Sequence, residues 1–191
     1  MIYLYIGIIL FGGAHLFSIL LPGTRDRLKA RLEERVWKGA YAAVSLAGLG
    51  FMVRGFLLSR SGPLAADWLY IPLDWTRHLT MLLVLLAFVC IVASLGKGHI
   101  KSWLRNPMSI GISLWAVGHL LANGKRADVF LFGTFLAVGL IDILASTLRG
   151  KVPVFAPRIR SDAIAVAAGI ALYAVFLFGF HPYVLNLPVA R

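Results

Sequence analysis

The sequence predicts an all-α polytopic membrane protein, a bundle of about six transmembrane helices. Two observations carry this reading. Of 191 residues, 60% are apolar and 14% charged, whereas soluble domains average about 45–50% and about 25%, so too little polar surface exists to cover the chain in water. The apolar residues also gather in runs near the ~20 residues that a spanning helix needs. These runs lie near 2–21, 37–58, 76–95, 108–123, 127–147 and 162–181. Short loops join them, with no repeat or flexible linker, so residues 1–191 read as a single domain.

Taken in order, the first run has no positive n-region and no A-x-A-like cleavage site, which predicts a retained helix. It places Gly12, His15 and Ser18 about one turn apart on one stripe. Between the first and second runs, Leu28, Leu32 and Val36 fall four apart among charges. This segment, Arg25 to Trp37, reads either as a short amphipathic helix on the inner leaflet or as a plain orientation signal. The second run spaces Ala43 and Ala47 for close helix packing, and the sixth does the same with Ala163, Ala167 and Ala171. The third opens at Arg77-His78 and contains the single cysteine, Cys90, which cannot form an internal disulfide and reads as a small apolar residue. The fourth, the shortest, sets Gly111, Trp115, His119 and Asn123 at intervals of four, a polar-aromatic stripe expected to face the bundle interior. The fifth carries a carboxylate, Asp142. Trp37, Trp75 and Trp103 fall at helix ends, as interfacial anchors should.

The formal charge is +11, from 19 Lys and Arg against 8 Asp and Glu. In a soluble chain this would suggest nucleic acid; here the cations lie mostly between apolar runs, where they meet lipid headgroups and set orientation, and nucleic-acid binding is not expected. The first loop holds Arg25, Arg27, Lys29, Arg31, Arg35 and Lys38. The third holds Lys97, Lys101 and Arg105, and the fifth Arg149, Lys151, Arg158 and Arg160. The even loops hold only Arg60, Arg77, Lys125 and Arg126. Positive charge favours the cytoplasm, so the odd loops are expected inside and both termini on the opposite side.

Polar residues within apolar runs are expensive and point to function. His15, His78 and His119 are the histidines of interest, while His99 and His181 read as interfacial. Imidazole ligates haem iron and other transition metals, making His15 and His119 candidate metal ligands; it equally joins packed helices by hydrogen bonds. No HExxH, paired CxxC, P-loop, GxGxxG or GxSxG motif occurs, so soluble-type metalloprotease, nucleotide and hydrolase chemistry is not supported.

Gly13-Ala14-His15-Leu16, Thr76-Arg77-His78-Leu79, Arg105-Asn106-Pro107 and the stretch from Leu114 through Trp115, His119 and Asn123 to Gly124 resemble NnrU proteins. The likeness covers nearly the whole chain, including His181-Pro182. It implies a bacterial inner-membrane protein, here with both termini periplasmic, associated with nitrite and nitric oxide respiration. It also implies a relation to 15-cis-zeta-carotene isomerase, a haem b membrane enzyme that isomerises a polyene. There the haem histidines correspond to His15 and to position 106, which is asparagine in this chain. Asn is a poor iron ligand, so three alternatives stand: His15 alone, replacement by His119 or His78, or a chain that has kept the fold and not the cofactor. Arg105-Asn106-Pro107 is also a weak echo of the S-adenosylmethionine site of membrane methyltransferases, without an acidic residue nearby for the ribose.

The expected function is therefore that of an inner-membrane protein with a cavity lined by His15, Trp115, His119 and Asn123. It would hold haem b and handle a small redox ligand such as nitric oxide, or isomerise a polyene. The alternative is a non-catalytic accessory of a respiratory membrane complex, with a membrane methyltransferase ranked below both.

Overall fold

A computed structural model describes residues 1–184. Its helices are α1 (Ile2–Leu20), α2 (Pro22–Arg31), α3 (Glu34–Leu58), α4 (Thr76–Leu95), α5 (His99–Leu104), α6 (Pro107–Ala122), α7 (Arg126–Leu148) and α8 (Ile159–Val175). A π-helical stretch, Phe176–Val184, continues α8. Among the described residues no β-strand forms, only an isolated bridge between Trp68 and Lys125. The expected all-α membrane bundle is what the chain forms. Helices α1, α3, α4, α7 and α8 with its continuation are long and apolar enough to cross a bilayer, and α6 is a shorter apolar helix between them. Large side chains such as Ile9, Leu46, Leu95 and Leu140 stay exposed, which in a membrane places them against acyl chains.

The spans line up by packing as α3, α1, α7, α6, α4 and α8. Close approach is set by glycine. A Cβ at Gly48 would lie 2.6 Å from the Phe11 backbone nitrogen, and one at Gly55 would strike the backbone of Leu4. On the other side, a Cβ at Gly111 would lie 2.8 Å from the Ala87 carbonyl, and one at Gly169 2.8 Å from Val89 Cα. In a membrane, helices associate largely through such packing. The alanines singled out from spacing are on the wrong faces: Ala43, Ala47, Ala163, Ala167 and Ala171 are exposed, while Gly48, Gly55, Ala165 and Gly169 form the buried seams. The amphipathic reading of Arg25–Trp37 is also corrected. Helix α2 stops at Arg31, and Glu33 adopts φ 62°, turning the chain so that Val36 belongs to α3.

Helix α6 has 16 residues, about 24 Å, less than the ~30 Å hydrocarbon core. Its unpaired terminal groups must therefore find partners inside the protein. At its C-terminal end they find hydroxyls. Thr80 donates to Gly118 O at 2.8 Å, Thr76 to Leu121 O at 2.8 Å, and Tyr70 to Leu120 O and to Asn123 O. Gly124 lets the loop close, because its carbonyl accepts from Leu69 N and Tyr70 N while a Cβ there would collide with Tyr70. Much of the Trp115–Gly124 motif, with Thr76, is thus the joint between α4 and α6.

The odd and even loops separate to opposite ends. Arg149 bonds Ile19 O, joining the fifth loop to the end of α1. Arg158 N donates to Lys97 O at 2.9 Å, joining the fifth to the third. At the other end Arg126 N donates to Asp67 O at 2.9 Å, joining the fourth to the second. One end of the bundle is consequently the basic end.

Candidate functional site

At the basic end, Arg105 takes φ 61° and terminates α5, and Pro107 opens α6. Asn106 caps α6, its Oδ1 accepting from Ser109 N at 3.4 Å. Its Nδ2 donates to Asp142 Oδ2 at 2.8 Å and lies 3.2 Å from Ser146 Oγ. Ser109 Oγ donates to the same carboxylate oxygen at 2.6 Å. The half-buried carboxylate within α7 is held by two donors from the start of α6, which satisfy a polar group that would be costly without partners.

Asp142 faces a cavity of about 420 Å³ enclosed by α1, α3, α6 and α7, within the ~300–1,000 Å³ usual for ligand sites. His15, Tyr41, Ser109 and Phe135 line it, together with Arg25, Arg149 and Lys151 from the basic end. His15 Nδ1 lies 2.8 Å from Phe11 O. A carbonyl only accepts, so Nδ1 carries the proton, and in the neutral ring Nε2 is the atom with the lone pair. The ring stacks on Phe11 with centroids 4.1 Å apart and meets Tyr41 at 5.4 Å. Arg25 is oriented by Ser18 O at 3.3 Å and by Asp26 at 2.8 Å.

A second, smaller cavity of about 50 Å³ lies between α4, α6 and α8. His119, Trp115, Met81 and His181 line it. His119 Nδ1 donates to Trp115 O at 2.8 Å, and its ring stacks on Phe132 at 4.5 Å. His181 Nδ1 donates to Phe176 O at 2.7 Å, the five-residue reach of the π-helical turn. The two imidazole centres are 6.2 Å apart, with planes within 19°.

The structure divides the site residues expected from sequence. His15 borders the larger cavity, with Asn106 behind it on Asp142, whereas Trp115 and His119 border the smaller one. Asn123 lines neither; its Nδ2 donates to His119 O at 2.9 Å, ending α6. His78 is exposed at the start of α4, outside both cavities. His181, read as interfacial, instead turns back toward His119. Among the described residues, no group of three or more His, Cys, Asp or Glu is placed to hold a metal ion. Sequence reasoning missed Tyr41, Arg25, Arg149 and Lys151 as cavity residues. The cations had been absorbed into an orientation argument, and nothing in the spacing signals Tyr41.

Comparison with curated proteins and with solved structures gives no match. The family described as NnrU protein matches residues 3–189. With the motifs of that match accounted for in the fold and around both cavities, the chain belongs to the NnrU family.

Proposed function

We propose that this NnrU protein binds haem b in the larger cavity, where His15 would hold the iron, and engages a small redox ligand such as nitric oxide there. The observation that carries the reading is the fixed Nδ1–H of His15, which leaves Nε2 as a free donor beside a 420 Å³ cavity. The donor set fits the group. Backbone hydrogen bonding to Nδ1 sets the tautomer and raises imidazole basicity, as it does for metal-bound histidines. Phe11, Tyr41 and Phe135 offer flat apolar walls, and Arg25, Arg149 and Lys151 suit two propionates. Bound haem would supply a one-electron iron centre whose potential follows its ligands and surroundings. Among the described residues His15 is the one histidine lining this cavity, and the amide of Asn106 is committed to Asp142, so His15 is the residue that would hold the group. Ser109 and Asp142 supply polar groups to the cavity for a small ligand. We place the protein in the bacterial inner membrane, basic end in the cytoplasm and both termini periplasmic.

A second reading rests on the packing of His15 against Phe11 and Tyr41, which suits a purely helix-joining residue in a non-catalytic accessory of a respiratory complex. Purification in mild detergent after expression with ample haem, with oxidised and dithionite-reduced absorption spectra, separates the two. The haem reading predicts a Soret band that shifts on reduction. Its absence leaves the helix-joining reading.

A further inference from the structure

The smaller cavity has a different chemistry, and from it we infer a binding site for a soft monovalent cation, Cu(I), held by His119, His181 and Met81. This inference is independent of haem in the larger cavity.

Both imidazoles have Nδ1 committed to a carbonyl of their own helix, at 2.8 Å for His119 and 2.7 Å for His181. In the neutral rings Nε2 is then the atom with the lone pair, and both rings line one cavity of about 50 Å³. Among the described residues no hydrogen bond is made by either Nε2, so a shared cation, proton or water would satisfy both. Two metal–imidazole bonds of about 2 Å, with the ring radii added, let ring centres stand up to about 6 Å apart, the limit for a nearly in-line pair with a weaker third donor. The observed separation is 6.2 Å. Helix α4 adds a third donor, the thioether of Met81, to the same lining.

The identity of the cation follows from the donors. Thioether sulfur selects Cu(I) among biological metals, and imidazole accepts it readily. All three would bind as neutral donors, and among the described residues the lining contains no Asp, Glu or Cys. Burying a dication there would leave two uncompensated charges, and the desolvation cost rises with the square of charge. Zn(II) also wants four ligands, which these residues do not offer. Trp115, 4.7 Å from His119, adds an aromatic face that favours a cation. A cavity of this volume takes an ion or a water and excludes a porphyrin.

The test is anaerobic titration of the purified full chain with Cu(I) against a chromophoric chelator. The wild type is expected to retain one equivalent, and His119→Gln and His181→Gln each to lose it. Met81→Leu is expected to weaken binding without changing stoichiometry, and His78→Gln to leave it unchanged. Size-exclusion and circular dichroism profiles check each variant for folding. X-ray absorption of the copper-loaded wild type needs no variant and is expected to show two imidazole nitrogens and one sulfur. No retained copper, retention in both histidine variants, loss in His78→Gln, or a copper shell without imidazole would overturn the inference.

Discussion

Replacing Asn106 with alanine perturbs the cluster that ties α6 to α7 beside the larger cavity. The substitution removes the cap on Ser109 N at 3.4 Å and the bond to Asp142 at 2.8 Å. Loss of an N-cap costs about 0.5–2 kcal/mol, and the 3.4 Å separation puts this one near the lower end. Interhelical hydrogen bonds in membranes average about 0.6 kcal/mol and reach about 1–2; a carboxylate acceptor puts this one near the upper end. Together they give roughly 1.5–2.5 kcal/mol. Equilibrium unfolding in mixed dodecyl sulfate and mild detergent, followed by circular dichroism, measures it. Asn106→Ser keeps a capping oxygen and loses the reach to Asp142, so its loss should fall between wild type and alanine. An alanine variant within about 0.5 kcal/mol of wild type, the level of an ordinary surface change, would refute this role for Asn106. A serine variant as damaging as alanine would refute the division between cap and carboxylate.

Other perturbations test separate parts of the account. Gly48→Ile must move α1 from 2.6 Å toward the 3.4 Å of ordinary contact at Phe11, a shift of about 0.8 Å costing about 1–3 kcal/mol. The same unfolding assay should record it. Arg60, about a quarter exposed at 26%, and the buried Asp128 are 3.6 Å apart, so Asp128→Ala leaves a cation that still reaches solvent and should cost about 1–3 kcal/mol. The double change Arg60→Met with Asp128→Leu should recover most of that, whereas no recovery would mean the pair is not what Asp128 contributes. Because Cys90 is buried, an introduced thiol can be labelled selectively. A membrane-impermeant maleimide added to intact spheroplasts should label Leu73→Cys and spare Lys151→Cys; the reverse pattern would invert the proposed orientation.

The architecture was legible because its signals are local. Six apolar runs and the clustering of cations need no knowledge of which helix meets which, and the helix ends lie within about three residues of their expected places, apart from the π-helical extension past His181. What failed was choice of face. Ala43 and Ala47 have the right spacing for a seam, but Gly48 and Gly55 allow closer approach, and the chain rotates to use them. The site was legible in part for the same reason. His15 and His119 stand out as polar residues in apolar runs, but which cavity each borders depends on the order of helices across the bundle. His181 was misread because its ring reaches the interior only through a π-helical turn, which no periodicity of 3.6 anticipates. Asn106 and Thr76 were visible as motif members, and their contacts show capping roles.

The central claim is that the cavity bordered by His15, not the one bordered by His119, is the haem site. Absorption spectra of His15→Ala and His119→Ala, each purified after expression with ample haem and compared with wild type, test it most directly. The account predicts a Soret band in wild type, an unchanged band in His119→Ala, and a lost or shifted band in His15→Ala. A wild type without a band, or a band that survives in His15→Ala and disappears in His119→Ala, would contradict it.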